Sequence, residues 1–330
     1  MKLKNIQFLR GISALLVCCF HFKNNLNSND FNWGDLLFNK GSIGVPIFFV
    51  ISGFIMVYTS KNINLNHSKI HLIVDFLIKR VIRIVPLYYL LTFAWIFFGG
   101  SLLAYFQGDL VNRLWRSLLF LPQKEFPILY LGWSLNYEMF FYFIFALSFF
   151  FTTKRYYFII LFFTAAIVLG QIFKPSTAFF KMISDPINLY FVNGIVLGLL
   201  LKYIEFSKKT SLAFLTLSTI SFVLLLLNFI PENLTWMHYP IVTSFVLSFL
   251  ILDQNFKSSP HPFLVYLGDI SYSIYLSHPF VEILFRHINL GENGNILEFV
   301  LQIGVVILTS SLLYLIIEKK MTNFLKEKIC

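Results

Sequence analysis

The chain has 330 residues, of which 57% are hydrophobic and only 13% are charged. A soluble domain carries about 25% charged residues, so this chain has too few polar side chains to cover itself in water. The composition excludes a soluble enzyme, a soluble nucleic-acid-binding module and a disordered chain. It predicts an all-α fold, namely a polytopic bundle of transmembrane helices.

Apolar runs long enough to cross a bilayer, which takes roughly 20 residues per helix, recur along the whole chain. The stretch 109–121 is too short and too charged to span, which is typical of a helix lying at the membrane interface. No segment between the runs is long enough to fold alone, so residues 1–330 are predicted to form one integral membrane domain. We predict ten transmembrane helices, near residues 6–22, 43–59, 82–99, 133–152, 156–173, 187–203, 211–229, 236–252, 264–285 and 296–317.

Topology explains the formal net charge of +10. With the N-terminus in the cytoplasm, 18 of the 26 lysines and arginines lie on the inner side of the membrane and 8 on the outer side. This bias is typical of cytoplasmic loops. We therefore predict a multi-pass protein of the cytoplasmic (inner) membrane with both termini inside and no nucleic-acid partner. The three cysteines predict neither a disulfide framework nor a metal site.

Ionisable side chains inside predicted spans are the first candidates for function, because charge is costly in a bilayer. In the first span, Arg10 and His21 are eleven residues apart. At 100° per residue this spacing places them on one helix face, separated by a rise of roughly 16 Å. A snorkelling arginine and an interfacial histidine explain the spacing equally well.

At the start of the third span, Arg80 and Arg83 are neighbours on one helix face. Two guanidinium groups at the cytoplasmic side suit the phosphates of an anionic substrate. An ordinary cluster of positive charge inside the cell is the simpler interpretation of this pair alone.

Two further groups are predicted at the depth of His21, in the outer half of the membrane. Glu138 lies roughly 7 Å along the fourth span, where a carboxylate must be paired or protonated. His278 lies in the ninth span and ends a polar stripe on an otherwise apolar helix. Structural hydrogen bonding is the alternative role for both side chains.

Taken together, these motifs resemble the membrane-bound acyltransferase family 3. The resemblance covers nearly the whole chain, in chain order. The motifs are Leu9-Arg10-Gly11 with His21; Gly44-Val45 and Phe48-Phe49-Val50-Ile51-Ser52-Gly53-Phe54; Arg80-Val81-Ile82-Arg83-Ile84-Val85-Pro86-Leu87-Tyr88-Tyr89; Trp133-Ser134-Leu135 with Glu138; and Leu267-Gly268, Ile270-Ser271-Tyr272, Tyr275-Leu276 and His278-Pro279.

The resemblance implies an O-acyltransferase that moves an acyl group, usually acetyl, from cytoplasmic acyl-CoA to a hydroxyl of an extracytoplasmic glycan or its lipid-linked precursor. Acyl-CoA is then a donor substrate, and no permanently bound cofactor or metal is expected. The chain departs from the family at Glu318-Lys319-Lys320, where members often have Glu-Arg-Pro. It ends just after the tenth span and so resembles the stand-alone group, which has no appended extracytoplasmic domain.

The resemblance also implies roles for single residues. Arg10 and His21 match the family's spaced Arg and His, and Glu138 matches the acidic residue after its Trp-Ser-Leu. Arg80 and Arg83 match the arginine pair that is thought to hold the CoA phosphates.

The chemistry of acyl transfer suggests a part in the reaction for each of these side chains. Imidazole changes protonation near neutral pH, so we expect His21 to act as general base on the acceptor hydroxyl. Glu138 is expected to orient His21 and stabilise its imidazolium. Arg10 is expected to lie beside the pantetheine arm, and His278 to donate to the oxyanion. The alternative is a transporter or flippase whose path is lined by Arg10, His21 and Glu138.

Overall fold

The structure, a computed structural model, describes residues 3–28, 31–61, 63, 68–100, 102–108, 110–256, 260–288 and 296–329. No β-strand occurs within these ranges, and helices dominate them, so the predicted all-α fold is confirmed. The α-helices in chain order are α1 Lys4–Phe22, α2 Trp33–Phe38, α3 Gly44–Ser60, α4 Lys69–Phe98, α5 Leu102–Gln107, α6 Val111–Leu118, α7 Gly132–Leu147, α8 Arg155–Phe173, α9 Ala178–Ile183, α10 Leu189–Leu200, α11 Lys208–Leu226, α12 His238–Asn255, α13 Pro262–Asp269, α14 Ser271–Ile288, α15 Ile296–Leu313 and α16 Lys319–Ile329.

In the part of the chain that the structure describes, eight helical segments are long and apolar enough to cross a membrane. This confirms a multi-pass membrane protein, whereas the count of ten spans and the cytoplasmic position of both termini stay predictions. The segments are Lys4–Leu26, Trp33–Ser60, Lys69–Phe98, Gly132–Phe173, Ala178–Leu200, Lys208–Leu226, Asn233–Asn255 and Ile296–Leu325.

Two features account for the difference between eight segments and ten predicted spans. The segment Gly132–Phe173 has 42 residues and contains both the fourth and the fifth predicted span, which meet at Thr152, a residue with a positive φ of 46°. The ninth predicted span is two helices, α13 and α14, with a break at Ile270. Helix α14 is less apolar than the eight segments, because it carries the polar stripe and the charged pair Arg286 and Glu282.

Helix α4 is longer than the predicted third span. It begins at Lys69 and has 30 residues, which is about 45 Å of helix against a hydrocarbon core of about 30 Å. Arg80 and Arg83 therefore lie three to four turns inside a helix and not at its first turn. Pro86 lies further along the same helix.

The chain divides into two compact units. The first unit comprises Met1–Val57 and Val196–Leu312, and the second comprises Tyr58–Ile195 and Leu313–Cys330. Each unit thus combines two separate stretches of chain. The prediction of one integral domain stays a prediction.

Helix α1 is the centre of the first unit and packs against α12, α13 and α14. It crosses α13 closely, because a Cβ atom on Gly268 would lie 1.9 Å from the carbonyl oxygen of Gln7. Asp253 of α12 accepts hydrogen bonds from the backbone N–H groups of Asn5 and Ile6 at 3.0 and 3.1 Å. A carboxylate at a helix N-terminus satisfies free amides and is favoured by the helix dipole, so α1 is fixed at both its start and its flank.

In the second unit, α4 packs against α7 and α6. Tyr88 and Tyr89 of α4 donate hydrogen bonds to the carbonyl oxygens of Ser117 and Leu118, at 3.2 and 2.8 Å. These bonds hold the C-terminal end of α6, the short helix expected from stretch 109–121. Leu118 is buried and Trp115 is 58% exposed, so α6 is amphipathic, as an interfacial helix must be.

Candidate active site

Arg10 and His21 both lie on α1, and both are partly buried. Helix α1 is continuous from Lys4 to Phe22, so the predicted shared face and the rise of roughly 16 Å between them hold in the structure. The guanidinium of Arg10 donates a hydrogen bond to Oε1 of Gln7 at 3.2 Å.

His278 of α14 lies against His21, with 4.9 Å between the ring centroids and 39° between the ring planes. Phe22 and Tyr275 contact the same ring, each at 6.2 Å between centroids. His278 is fully buried. Sequence reasoning placed the two histidines at one depth, and the structure brings them into contact.

The two nitrogens of His278 have different surroundings. Nδ1 lies 3.4 Å from the carbonyl oxygen of Ile274, whereas the buried Nε2 has no hydrogen-bond partner among the described residues. A neutral imidazole carries one N–H and one lone pair. A carbonyl oxygen at Nδ1 favours the proton there, which leaves the lone pair on Nε2. His278 is therefore arranged as an acceptor, which differs from the expected role of oxyanion donor.

In the second unit, Arg80 lies beside Tyr142 and Glu138. Its guanidinium carbon is 5.2 Å from the ring centroid of Phe76 and 5.4 Å from that of Tyr142. Tyr142 donates a hydrogen bond to Oε1 of Glu138, four residues earlier on α7. Arg80 is attracted electrostatically by Glu138 and repelled by Arg83. The sequence predicted Arg80 at the cytoplasmic side and Glu138 near the outer side, whereas the structure groups them around Tyr142.

Tyr142 was not predicted as a site residue, although its i, i+4 spacing from Glu138 was a usable signal. Arg155 is a second buried residue that the sequence does not single out, because it follows Lys154 in a short basic stretch between two apolar runs. It is only 5% exposed and donates hydrogen bonds to the carbonyl oxygen of Ser60 and to the hydroxyl of Tyr156, both at 2.7 Å. Its contacts tie the start of α8 to the end of α3.

A metal site is not indicated in the described ranges, where no group of three or more His, Cys, Asp or Glu side chains could hold an ion. Cys18 and Cys19 are free thiols on α1. Arg10 in the first unit, and Arg80 and Arg83 in the second, each carry a guanidinium group that suits an anionic substrate.

Relatives of the chain include two curated proteins. It is 31% identical over 260 residues to the exopolysaccharide production protein ExoZ of Rhizobium meliloti (strain 1021), covering 74% of this chain and 77% of ExoZ. It is 32% identical over 115 residues to YrhL of Bacillus subtilis (strain 168), a provisionally named peptidoglycan O-acetyltransferase, covering 32% of this chain and 16% of YrhL. No solved structure gives a significant match.

The family model described as an acyltransferase domain matches residues 3–315. This match covers nearly the whole chain and includes Arg10, His21, Arg80, Glu138 and His278. It confirms the resemblance inferred from the motifs: the chain belongs to the Acyltransferase domain family, membrane-bound acyltransferase family 3.

Proposed function

We propose that this chain is an O-acyltransferase that moves an acyl group, acetyl in the first instance, from cytoplasmic acyl-CoA to a hydroxyl of an extracytoplasmic polysaccharide or its lipid-linked precursor. Membership of the family supports acyl transfer. The names of ExoZ and YrhL, which refer to exopolysaccharide and peptidoglycan, support a glycan acceptor. The alternative of a transporter or flippase has no comparable support.

The observation that carries this proposal is the contact between His21 and the buried His278 in a chain of this family. A sugar hydroxyl is a weak nucleophile at neutral pH and needs a base to take its proton. His21 removes this proton as the hydroxyl oxygen attacks the thioester carbonyl. The carbon–sulfur bond then breaks, and the CoA thiolate takes the proton back from His21, so the product is the glycan ester and free CoA.

His278 assists this step through Nε2, which has no partner in the described part of the chain and would accept a hydrogen bond from His21 when the substrates bind. The Ile274 carbonyl oxygen near Nδ1 supports this arrangement, because it leaves the Nε2 lone pair available. The bond would fix the tautomer of His21 and the direction of its basic nitrogen, the role that a carboxylate has in a catalytic triad. The role of Glu138 towards a protonated His21 stays a prediction from the sequence, because the structure groups Glu138 with Tyr142 and Arg80 in the second unit.

The acyl-CoA donor binds through its phosphates to two arginines of α4. Arg80 and Arg83 hold the phosphates of CoA, which are polyanionic and stay at the cytoplasmic side. Arg80 is pre-organised for this by the rings of Phe76 and Tyr142. The pantetheine arm extends along α1 past Arg10 towards His21, over a rise of roughly 16 Å.

The proposal is tested with purified protein, acetyl-CoA that carries a ¹³C-labelled acetyl group, and the O-deacetylated surface polysaccharide of the source organism. Mass spectrometry should find labelled ester on the polysaccharide, and free CoA should form in equal amount. Absence of label from the polysaccharide with protein that binds acetyl-CoA would contradict the proposal.

A further inference from the structure

The second unit contains a cleft of about 490 Å³ that none of the proposed catalytic residues lines. Its walls come from the loop 122–127, the start of α7 and the segment 176–185. The volume falls within the range of about 300–1,000 Å³ that is usual for small-molecule sites. It therefore has room for a short oligosaccharide.

The cleft has aromatic walls. Trp133 lines it and is partly exposed, with its ring held edge-on by Tyr137 at 5.9 Å between centroids. Phe126 lines it from the loop and is 61% exposed. Large flat apolar rings with polar groups beside them suit a ligand that has an apolar face and a polar edge, as a sugar ring has.

The polar groups of the cleft suit hydroxyls. Asn136 lines it and is only 5% exposed, yet its Oδ1 has no hydrogen-bond partner among the described residues. A buried amide oxygen without a partner is unfavourable, and a hydroxyl donor would satisfy it. Asp185 also lines the cleft, accepts from Tyr137 and from the N–H of Ile187, and as a carboxylate retains further acceptor capacity.

The charges of the cleft are mixed. Lys124 and Lys181 line it together with Glu125 and Asp185. Two cations balanced by two carboxylates do not favour a polyanion such as CoA, which would need an excess of positive charge. The balance favours a ligand rich in hydroxyls.

Both rims of the cleft are held by internal hydrogen bonds. Arg113 donates twice to the carbonyl oxygen of Phe126, at 3.2 and 2.9 Å, and pairs with Glu125 at 3.3 Å. On the other side, Asn188 donates to the carbonyl oxygens of Met182 and Asp185 at 2.8 and 3.1 Å. A cleft fixed in this way is formed before the ligand arrives, which reduces the entropy lost on binding.

We propose that this cleft is the acceptor subsite and binds a short stretch of the glycan chain, with a sugar ring on Trp133 and a hydroxyl on Asn136 Oδ1. The predicted orientation supports this, because it places the loops 122–127 and 174–186 on the extracytoplasmic side, where a surface glycan is found. This inference rests on the proposed function, since it names where the acceptor of that reaction binds.

The test measures binding of O-deacetylated oligosaccharides, cut from the surface polysaccharide of the source organism, to the full chain in nanodiscs by saturation-transfer NMR. Trp133→Ala should weaken binding and raise the acceptor KM by about tenfold or more, and Trp133→Phe should restore most of both. The KM for acetyl-CoA should not change in either variant. Trp115→Ala removes an exposed tryptophan outside the cleft and serves as the matched control.

A second variant separates binding from folding. Asn136→Leu removes the buried oxygen without a partner, so the protein should unfold at the same or a higher temperature while acceptor affinity falls by about tenfold. Unchanged oligosaccharide binding in Trp133→Ala and Asn136→Leu would overturn the cleft proposal. Oligosaccharide that binds at Trp133 without any acyl transfer would support the cleft and overturn the proposed function instead.

Discussion

The ring centroids of His21 and His278 lie 4.9 Å apart, although the two residues stand near opposite ends of the chain. They lie on α1 and α14. Helix α13, which crosses α1 closely at Gly268, is separated from α14 by a single residue. One of the two rings, that of His278, is fully buried, whereas that of His21 is partly buried; the proposed mechanism uses the pair as a relay. Each of the following predictions tests one part of this account.

His21→Ala should abolish acyl transfer while the protein accumulates in the membrane at its normal level. Loss of a general base lowers the rate by about 10²–10⁴-fold. The measurement is label transfer to the polysaccharide at equal amounts of purified protein. His287→Ala, at an exposed histidine on α14, is the control and should keep full activity. Retention of more than about a tenth of wild-type activity in His21→Ala would remove His21 as the base.

His278 should act through His21 and not independently. His278→Gln places an amide oxygen near the position of Nε2, so it should retain more kcat than His278→Leu, which has no acceptor. In a His21→Ala background the His278→Leu change should cost little further activity, because effects within one unit are non-additive. Independent, multiplicative losses in the double variant would show that His278 contributes by another route.

Arg83→Ala should raise the KM for acetyl-CoA but leave that for S-acetyl-pantetheine, which has no nucleotide phosphates, unchanged. The reason is that a phosphate ligand matters only to a donor that carries phosphate. Lys79→Ala is the matched control, because Lys79 is a nearby exposed cation that pairs with Asp75. Equal KM values for acetyl-CoA in wild type, Arg83→Ala and Arg80→Lys would refute the phosphate assignment.

Tyr142→Phe should lower the free energy of unfolding by about 1 kcal/mol, because it removes the donor to Glu138 in a buried site. Glu138→Gln should instead lower kcat with little change in stability, since it removes the charge but keeps a hydrogen-bonding group. Thermal unfolding in detergent and steady-state kinetics separate the two effects. A Glu138→Gln variant with wild-type kcat would leave Glu138 a structural role only.

Gly268→Ala should destabilise the first unit, because the new Cβ would lie 1.9 Å from the carbonyl oxygen of Gln7 and must push α1 away from α13. Overpacking of this kind typically costs about 1–3 kcal/mol. Gly304→Ala is the control, since nothing lies within 4 Å of its added Cβ and alanine favours the helix over glycine. Both are checked by the temperature of unfolding, which should fall only for Gly268→Ala.

Much of the fold and of the candidate site follows from the sequence. Helix periodicity alone places Arg10 and His21 on one face, because α1 is unbroken from Lys4 to Phe22. The apolar composition predicts the class of protein, because a chain with so few charges cannot be soluble. Spacing within one helix is also enough to see that Arg80 and Arg83 are neighbours.

What the sequence did not reveal depends on contacts between helices. Arg80 lies beside Tyr142 because α4 packs against α7, a contact that no spacing within one helix reveals. Hydropathy also does not mark where a helix begins outside the apolar core, and α4 begins eleven residues before Arg80. The sequence around Arg155 predicts an exposed basic residue in a loop, whereas in the structure Arg155 is buried against the end of α3. The cleft at Trp133 combines residues from three stretches of chain, and no spacing rule connects them.

The most direct test of the central claim is transfer across a sealed membrane. Proteoliposomes contain the O-deacetylated glycan in the lumen, and ¹³C-acetyl-CoA is added outside, with chain orientation fixed by protease mapping. The account predicts labelled glycan in the lumen with wild-type protein whose termini face outwards, and none with His21→Ala. Label that forms only when donor and acceptor share one side, or that forms equally with His21→Ala, would contradict it.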